Sequence, residues 1–533
     1  MLTLTLIAGF ANALLVVMVN KVAGLVASGM RPSVLSWLGF VIAFATYYQC
    51  NKIALLRANT VIERLVKDLR IQIMDKLRRS ELQVVERLGR GRLYALISQE
   101  TNHLSVTFPL LVNCFQQAVL LVVSLIYLAY LSVSAFVVFL LAVGFGVAGY
   151  RRINDDFRRT VQGASVRQGD LLDALGDIIQ GFKQLRLNTR RSDDVHRAYV
   201  AVSQKTEEMQ VASGEHWASM ILLSSVVTYF MLGVVVFILP QYTGVRGAAV
   251  FQLIPTLLFC MGPLALIVAQ SPMFSQAEVG LRAILDIERQ LDVAGGVAPA
   301  EARDSSARYR DFKRITYRGM TFTHHDESGV PVFVAGPWDM HVTRGETLFL
   351  VGGNGSGKST ALRLVTGLYQ ADGGQIAVDG IPVAGRDVAG FRELFSAVFA
   401  DFHLFDRLYG LENVDPREVE RLIAAMGLSH KVCVEDGRFS ETNLSTGQRK
   451  RLALIAALLE DRPIYVFDEW TAEQDVHFRE YFYTVILADL KAKGKTVIAV
   501  THDERYWNVA DQIIKLDLGA ILWEQAGRDW NVS

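Results

Sequence analysis

The sequence has no net charge and few cysteines, and each feature excludes a class of function. Its 54 lysines and arginines balance 54 aspartates and glutamates, so the formal net charge is zero. We expect no nucleic-acid partner, because this balance gives no general attraction for a polyanion. The cysteines show no C-x-x-C or metal-ligand spacing, and we predict free thiols rather than disulfides. They are Cys50, Cys114, Cys260 and Cys433.

The chain also lacks lysine and arginine before Lys21, whereas residues 2–20 are apolar. A cleaved signal peptide would begin with basic residues, so we predict that this run is the first membrane span. Apolar residues make up 51% of the chain and form long runs before about residue 290. These runs predict six spans. They cover residues 2–20, 34–50, 109–130, 133–150, 218–239 and 250–269.

The connections between these runs predict the orientation in the membrane. Residues 51–108 and 151–217 are long and rich in lysine and arginine, whereas residues 131–132 and 240–249 are short and almost uncharged. Because positive loops stay on the cytoplasmic side, we predict that both chain termini lie in the cytoplasm. The membrane that the helices cross is then the cytoplasmic (inner) membrane. The long loops have a helical pattern, so we expect the membrane helices to continue into the cytoplasm.

Several uncharged polar residues lie inside the predicted spans or at their ends. They either form hydrogen bonds between helices or line a substrate cavity. They are Asn12, Asn113, Gln116, Gln117, Gln252 and Gln270. Pro255, Pro263 and Pro272 permit kinks near such a cavity.

The sequence GGNGSGKST at residues 352–360 fits the phosphate-binding pattern G-x-x-x-x-G-K-[ST]. An apolar run precedes it and a helical pattern follows, so backbone N–H groups converge on phosphate oxygens at a helix N-terminus. Lys358 can reach the β- and γ-phosphates, and the Ser359 hydroxyl can ligate Mg²⁺. The predicted nucleotide contacts in this loop are Gly352, Asn354, Gly355, Ser356, Gly357, Lys358, Ser359 and Thr360.

Two further apolar runs end in polar residues. Residues 463–469 end in Asp468, a predicted Mg²⁺ ligand, and Glu469, a predicted general base or water-orienting group. Residues 497–503 contain His502, which can contact the γ-phosphate and hold the catalytic geometry. We therefore predict Lys358, Glu469 and His502 as the catalytic residues.

Residues 443–448, with the sequence NLSTGQ, precede an amphipathic helix with a basic first turn. Ser445 and Gly447 at this helix start predict a second anion-binding site. The chain's own phosphate loop does not require a second site, so we expect it to serve a nucleotide held by another copy of the chain.

These motifs together resemble the ATP-binding cassette of ABC transporters, and the preceding spans look like the transmembrane domain of an exporter. Residues 91–102 are similar to the exporter segment leading to the first coupling helix. The resemblance implies an α-helical transmembrane domain (six spans, type I exporter-like) followed by an α/β P-loop NTPase domain. It implies a homodimer in a lipid bilayer, with ATP and Mg²⁺ as cofactors. We predict a transmembrane domain over residues 1–285, a small, polar linker over 286–311 and an ABC ATP-binding domain over 312–533.

The resemblance also assigns further roles, and at two of these positions this sequence departs from the family pattern. Ala400 stands where the Q-loop glutamine is usual, and Asp401 is the nearest candidate to replace it at the metal. His324 stands at the place of the aromatic residue that stacks on adenine. Gln448 belongs to the LSTGQ motif that completes the partner's nucleotide site, and Asp475 matches the D-loop carboxylate.

Residues 394–406, 352–358, 468–475 and 501–506 resemble the exporters of cyclic peptides, lipopeptides and siderophores. That branch has a basic segment before its first span, so the resemblance implies a truncated or mis-assigned start here. The expected cargo is peptide-like. The alternatives are a lipid or hydrophobic drug, or a membrane-bound ATP-dependent regulator or docking partner of a biosynthetic complex.

Overall fold

The structure is a computed structural model, and it describes residues 2–27, 29–89, 93–94, 96–97, 101–243, 247–293, 306–326 and 329–530. The chain divides into two compact units. The first comprises Met1–Arg78 and Val85–Val293, and the second comprises Arg79–Val84 and Ala294–Ser533.

The chain up to Val293 is helical wherever it is described, apart from short connections. The helices are α1 (Leu2–Ala27), α2 (Val34–Arg79), α3 (Leu82–Leu88), α4 (Thr101–Leu131), α5 (Val133–Gln180), α6 (Phe182–Leu187), α7 (Thr189–Gly233), α8 (Leu239–Thr243) and α9 (Gly247–Val293). A π-helical turn, Val234–Ile238, joins α7 to α8. Helices α2, α5, α7 and α9 have 46, 48, 45 and 47 residues. A bilayer needs only about 20 residues, so these helices are long enough to continue beyond it, as the helical pattern of the loops predicts.

Five helical segments of the described chain are long and apolar enough to cross a membrane, by length and composition. They are Leu2–Val26, Thr101–Leu131, Val133–Val161, Thr189–Gln241 and Gln252–Asp292. The predicted second span, residues 34–50, lies in α2, but Thr46, Tyr47 and Gln49 make its last turns more polar. The count of six spans is therefore not confirmed in full.

Polar side chains in these helices form hydrogen bonds between helices. Gln116 Nε2 on α4 donates to Asn51 Oδ1 on α2 at 2.8 Å. Cys114 Sγ on α4 donates to Gln270 Oε1 on α9 at 3.0 Å. Both contacts favour the hydrogen-bonding interpretation of Gln116 and Gln270 over a cavity lining. The three prolines that were predicted to permit kinks all lie inside α9. They are Pro255, Pro263 and Pro272.

The predicted linker over residues 286–311 overlaps packed structure at both ends. Helix α9 runs to Val293, so residues 286–293 are helical. Tyr309 is 1% exposed and belongs to a core cluster of the second unit. Residues 294–305 lie outside the described residues. The domain boundaries remain predictions.

The second unit is an α/β structure. Its strands are β1 (Arg314–His325), β2 (Pro331–Thr343), β3 (Thr347–Val351), β4 (Gly373–Val378), β5 (Ile381–Pro382), β6 (Phe395–Val398), β7 (Val434–Glu435), β8 (Arg438–Phe439), β9 (Ile464–Asp468), β10 (Thr496–Val500), β11 (Gln512–Asp517) and β12 (Ala520–Ala526). Its helices are α10 (Lys358–Val365), α11 (Asp387–Arg392), α12 (Pro416–Ala425), α13 (Thr446–Leu459), α14 (Val476–Tyr481) and α15 (Leu487–Ala492).

These strands form two main sheets and a small hairpin. The six-stranded sheet has the order β12-β11-β3-β10-β9-β6, and its neighbours run parallel except for β11 and β12. The antiparallel four-stranded sheet has the order β2-β1-β4-β5, and β7 pairs with β8.

The central strands β3, β9 and β10 are buried along their whole length. Successive residues enter opposite core clusters, with Phe349 and Phe467 in one and Leu350 and Val466 in the other. Burial on both faces explains why each strand reads as a continuous apolar run. Because the three strands are parallel, the residues that follow them meet at one edge of the sheet.

Replacing Phe391 with alanine should destabilise the second unit by about 3–5 kcal/mol, because truncating a buried phenylalanine leaves a cavity. Phe391 is 0% exposed, whereas Phe405 in the same unit is 59% exposed. The measurement is the thermal unfolding midpoint of the purified full-length protein. Phe405→Ala is the matched control and should change the midpoint little. Equal shifts in both variants would contradict the packing described for Phe391.

Candidate functional site

The phosphate loop, residues 352–360, leaves β3 and enters α10 at Lys358. Gly352 has a φ of 152°, and a Cβ atom there would stand 2.2 Å from the Leu516 carbonyl oxygen. Gly357, the last residue before the helix, has a φ of 98°. Only glycine meets these requirements without strain. The loop therefore presents its backbone N–H groups at the start of α10, where anions are stabilised.

The side chains of this loop also suit a phosphate ligand. Ser356 Oγ is buried and has no hydrogen-bond partner among the described residues. Asn354, Gly355 and Ser359 are exposed beside it. An unpaired buried hydroxyl costs free energy unless a ligand or water completes it. The donor groups of the loop thus fit the oxygen-rich ligand predicted from the sequence.

Lys358 lies between the phosphate loop and the carboxylates at the end of β9. Its Nζ donates to the carbonyl oxygens of Gly352 at 3.1 Å and Gly353 at 2.9 Å, and lies 3.9 Å from Glu469 Oε1. Burial lowers the pKa of Lys358 from its ordinary value, and the negative charges of Glu469 and Asp468 oppose that shift. The ammonium group is therefore held where it can meet further negative charge.

Asp468 ends β9 and is 5% exposed. Burial raises the pKa of Asp468 above its ordinary value, whereas a hydrogen bond from the Ala400 N–H acts in the opposite direction. This bond brings the predicted Q-loop position to the predicted metal ligand. A single buried carboxylate near a phosphate loop suits Mg²⁺, which keeps several waters and takes one or two carboxylates.

Glu469 and His502 follow neighbouring parallel strands and meet directly. His502 Nε2 lies 3.1 Å from Glu469 Oε1. Glu469 has a φ of 46°, an uncommon conformation for a residue other than glycine. The structure thus brings together Lys358, Asp468, Glu469 and His502, as the parallel strands predict.

His324 and Asp401 each lie close to a side chain of α10. His324 Nε2 is 3.1 Å from Thr360 Oγ1, and its ring packs edge-on against Phe322 with centroids 4.8 Å apart. The Asp401 side chain is 74% exposed and lies 3.9 Å from the Arg363 guanidinium. The adenine-stacking role of His324 and the metal-binding role of Asp401 remain predictions.

The LSTGQ motif begins α13. Ser445 is its N-cap, and the Gln448 N–H donates to Ser445 Oγ at 3.4 Å. Asp475 similarly caps α14 by accepting from the Phe478 N–H at 2.9 Å, and pairs with Arg451 at 2.7 Å. The Phe478 N–H, followed by Arg451, holds the pKa of Asp475 below its ordinary value. Asp475 is thus tied to its own chain, and its nucleotide contact remains a prediction.

The segment Arg79–Val84 belongs to the second unit, which the sequence did not predict. Within the second unit, Leu82 packs against the core and Glu81 forms an ion pair with Arg392 of α11. The predicted coupling segment, residues 91–102, lies mostly outside the described residues. In the sequence, residues 79–84 stand out only by the charged residues at 78–81. Charge alone does not distinguish a segment that packs against the second unit from a solvated turn.

Gly352→Ala should weaken nucleotide binding by about tenfold or more, because its Cβ would collide with the backbone carbonyl of Leu516, which cannot rotate away. The measurement is the affinity of the full-length protein for a fluorescent ATP analogue. Gly353→Ala is the neighbouring control, since a Cβ there meets nothing within 4 Å. Equal losses in the two variants would argue against the close approach at Gly352.

Comparisons with known proteins identify the family to which the chain belongs. Residues 336–472 match the family model described as ABC transporter. The chain is 31% identical over 477 residues to the ATP-binding protein SyrD of Pseudomonas syringae pv. syringae, covering 86% of this chain and 82% of that protein. It is 26% identical over 393 residues to the ATP-dependent lipid A-core flippase of Haemophilus influenzae, covering 70% of this chain and 64% of that protein.

The fold also matches a solved structure of a bacterial Atm1-family ABC exporter with ATP bound. The TM-score is 0.81 at 19% sequence identity, and the match covers 99% of this chain and 94% of that one. At this identity the match shows the shared fold. The chain belongs to the ABC transporter family, as an exporter-type half-transporter whose ATPase domain couples ATP hydrolysis to transport.

Proposed function

We propose that two copies of this chain form an exporter that hydrolyses ATP through Glu469 and moves a peptide-like cargo across the cytoplasmic membrane. The observation that carries the proposal is the meeting of Glu469 with His502 at 3.1 Å and with Lys358 at 3.9 Å. A carboxylate in this position can accept a proton from, or orient, the water that attacks the γ-phosphate. His502 then holds the carboxylate, and Lys358 compensates the negative charge of the phosphates.

Mg²⁺ would be held by Asp468 and Ser359, with Asp401 as a further candidate, and when bound it neutralises charge on the β- and γ-phosphates. The hydroxyl of Ser359 is exposed beside the loop, and the carboxylate of Asp468 is buried at the strand end. His324 is assigned to the adenine base.

The second copy completes each nucleotide site in this proposal. Ser445, Gly447 and Gln448 lie at the N-terminus of the 14-residue helix α13, which stabilises negative charge. Each ATP then lies between the phosphate loop of one copy and the LSTGQ motif of the other. Since the γ-phosphate contacts disappear on hydrolysis, ATP and ADP favour different states of the dimer.

The cargo class rests on resemblance. The motifs of residues 394–406 and 468–475 resemble those of cyclic-peptide, lipopeptide and siderophore exporters. SyrD is 31% identical over 86% of this chain, whereas the lipid A-core flippase of Haemophilus influenzae is 26% identical over 70% of it. The flippase similarity supports lipid as the second candidate cargo. The positively charged loops support the orientation with the ATPase unit in the cytoplasm.

Transport into inside-out membrane vesicles tests the cargo. We expect ATP-dependent accumulation of a cyclic lipopeptide or a peptide siderophore, and stimulation of ATPase activity by the same compound. Accumulation of lipid alone would support the second candidate. Steady ATP hydrolysis with no transport of either class would favour a regulator or docking partner instead.

Glu469→Gln should abolish steady-state ATP hydrolysis while ATP binding persists, because the amide keeps the side-chain shape but cannot accept the proton. The measurements are phosphate release and equilibrium ATP binding by the full-length protein. Rapid hydrolysis by this variant would remove Glu469 from the base role.

Lys358→Ala should instead weaken ATP binding, because it removes the buried ammonium group that faces the phosphates. The same binding assay measures the loss, and addition of EDTA to wild-type protein gives the matching test of Mg²⁺. Unchanged nucleotide affinity in Lys358→Ala would count against the assignment of Lys358.

A further inference from the structure

The segment that follows β9 packs along the first turns of α13. We call residues 469–475 the carboxylate turn. A Cβ atom on Gly447 would stand 2.7 Å from the Glu473 carbonyl oxygen, and the Gly447 carbonyl accepts from Gln474 Nε2 at 3.0 Å. Lys450 and Arg451 follow at the i+3 and i+4 positions, so all three residues share one face of the helix. This face carries the contacts that hold the carboxylate turn.

Lys450 makes the contact nearest to the catalytic carboxylate. Its Nζ donates to the Glu469 carbonyl oxygen at 3.0 Å and forms an ion pair with Glu473 at 2.6 Å. In the opposite direction, Trp470 Nε1 donates to the Lys450 carbonyl oxygen at 3.0 Å. The Lys450 side chain is 3% exposed. The ammonium group is therefore enclosed by the carboxylate turn rather than solvated at the surface.

Glu469 needs such support because of its backbone. A residue other than glycine at a φ of 46° is strained and persists only when its surroundings hold it. The Glu469 N–H donates to the Val500 carbonyl oxygen at 3.2 Å, and its carbonyl oxygen accepts from Lys450. The peptide groups on both sides of Glu469 are thus held, and its carboxylate is aimed at His502.

We propose that Lys450 is a positioning residue for ATP hydrolysis, which acts by holding the Glu469 backbone so that its carboxylate stays beside His502. This inference rests on the proposed function of Glu469 and goes one step further. Lys450 lies on the same helix as Ser445, which is assigned to the nucleotide of the other copy. Helix α13 then connects that nucleotide to the catalytic carboxylate of its own chain.

Lys450→Met in the full-length protein tests the proposal, because methionine keeps most of the length and removes the donor. We expect kcat for ATP hydrolysis to fall about 10- to 100-fold, as for a misplaced catalytic group. ATP affinity should stay close to wild type, since Lys450 does not face the chain's own phosphate loop. Trapping of Mg-ADP by orthovanadate should fall with kcat. Lys450→Arg, which keeps a cationic donor, should recover part of the rate.

Lys495→Met is the matched control. Lys495 Nζ contacts a carboxylate oxygen of Asp461 at 2.7 Å and its carbonyl oxygen at 3.3 Å, and Asp461 also has a positive φ, 49°. The same kind of contact is thus removed away from the nucleotide site, and kcat should stay within about twofold of wild type.

Three results would overturn the proposal. They are an unchanged kcat in Lys450→Met, an equal fall in Lys495→Met, or a fall in kcat matched by an equal loss of ATP affinity. Glu469→Gln separates this proposal from the proposed function. If Glu469→Gln hydrolyses ATP rapidly, the base assignment itself fails. If Glu469→Gln is inactive but Lys450→Met hydrolyses ATP at the wild-type rate, only the positioning role of Lys450 fails.

Discussion

This site depends on one constraint: the buried charges at the carboxyl edge of the parallel sheet must be compensated by opposite charges and hydrogen bonds. Lys358 is 6% exposed and Asp468 is 5% exposed. Removing either ion from water costs several kcal/mol unless opposite charges and hydrogen bonds replace the lost solvation. Lys358 obtains them from Glu469 and from two carbonyl groups of the phosphate loop. These contacts tie the phosphate loop to Glu469, which in turn lies 3.1 Å from His502.

Helix α13 adds a second level of support, because its polar face holds the segment that carries the carboxylate. Arg451 donates to Gln474 at 2.9 Å and to Asp475 at 2.7 Å, and its guanidinium carbon lies 3.3 Å from the centroid of the Phe478 ring. A planar guanidinium can make these contacts at once. The LSTGQ motif therefore begins a helix that is anchored to the catalytic segment of its own chain, whatever it binds from a second copy.

Much of the fold could be predicted because the relevant patterns are local. The apolar runs that form β9 and β10 and the short connection at residues 131–132 are visible in the sequence. The second span was harder, because Thr46 and Gln49 make the end of its apolar run ambiguous. The predicted linker start at residue 286 lies inside α9, since charged residues there continue the helix and composition alone does not mark its end.

The sequence by itself determined the phosphate loop, the strand ends with Asp468, Glu469 and His502, and the helical membrane half. Those features follow from glycine spacing, from apolar periodicity and from the rule that parallel strands end at one edge. Tertiary structure alone decided that Lys450 holds Glu469 and that residues 79–84 pack with the ATPase unit. Lys450 is 19 residues from Glu469 in the chain. Such contacts depend on how a helix packs beside a strand and on a strained backbone dihedral, and neither is encoded in a local pattern.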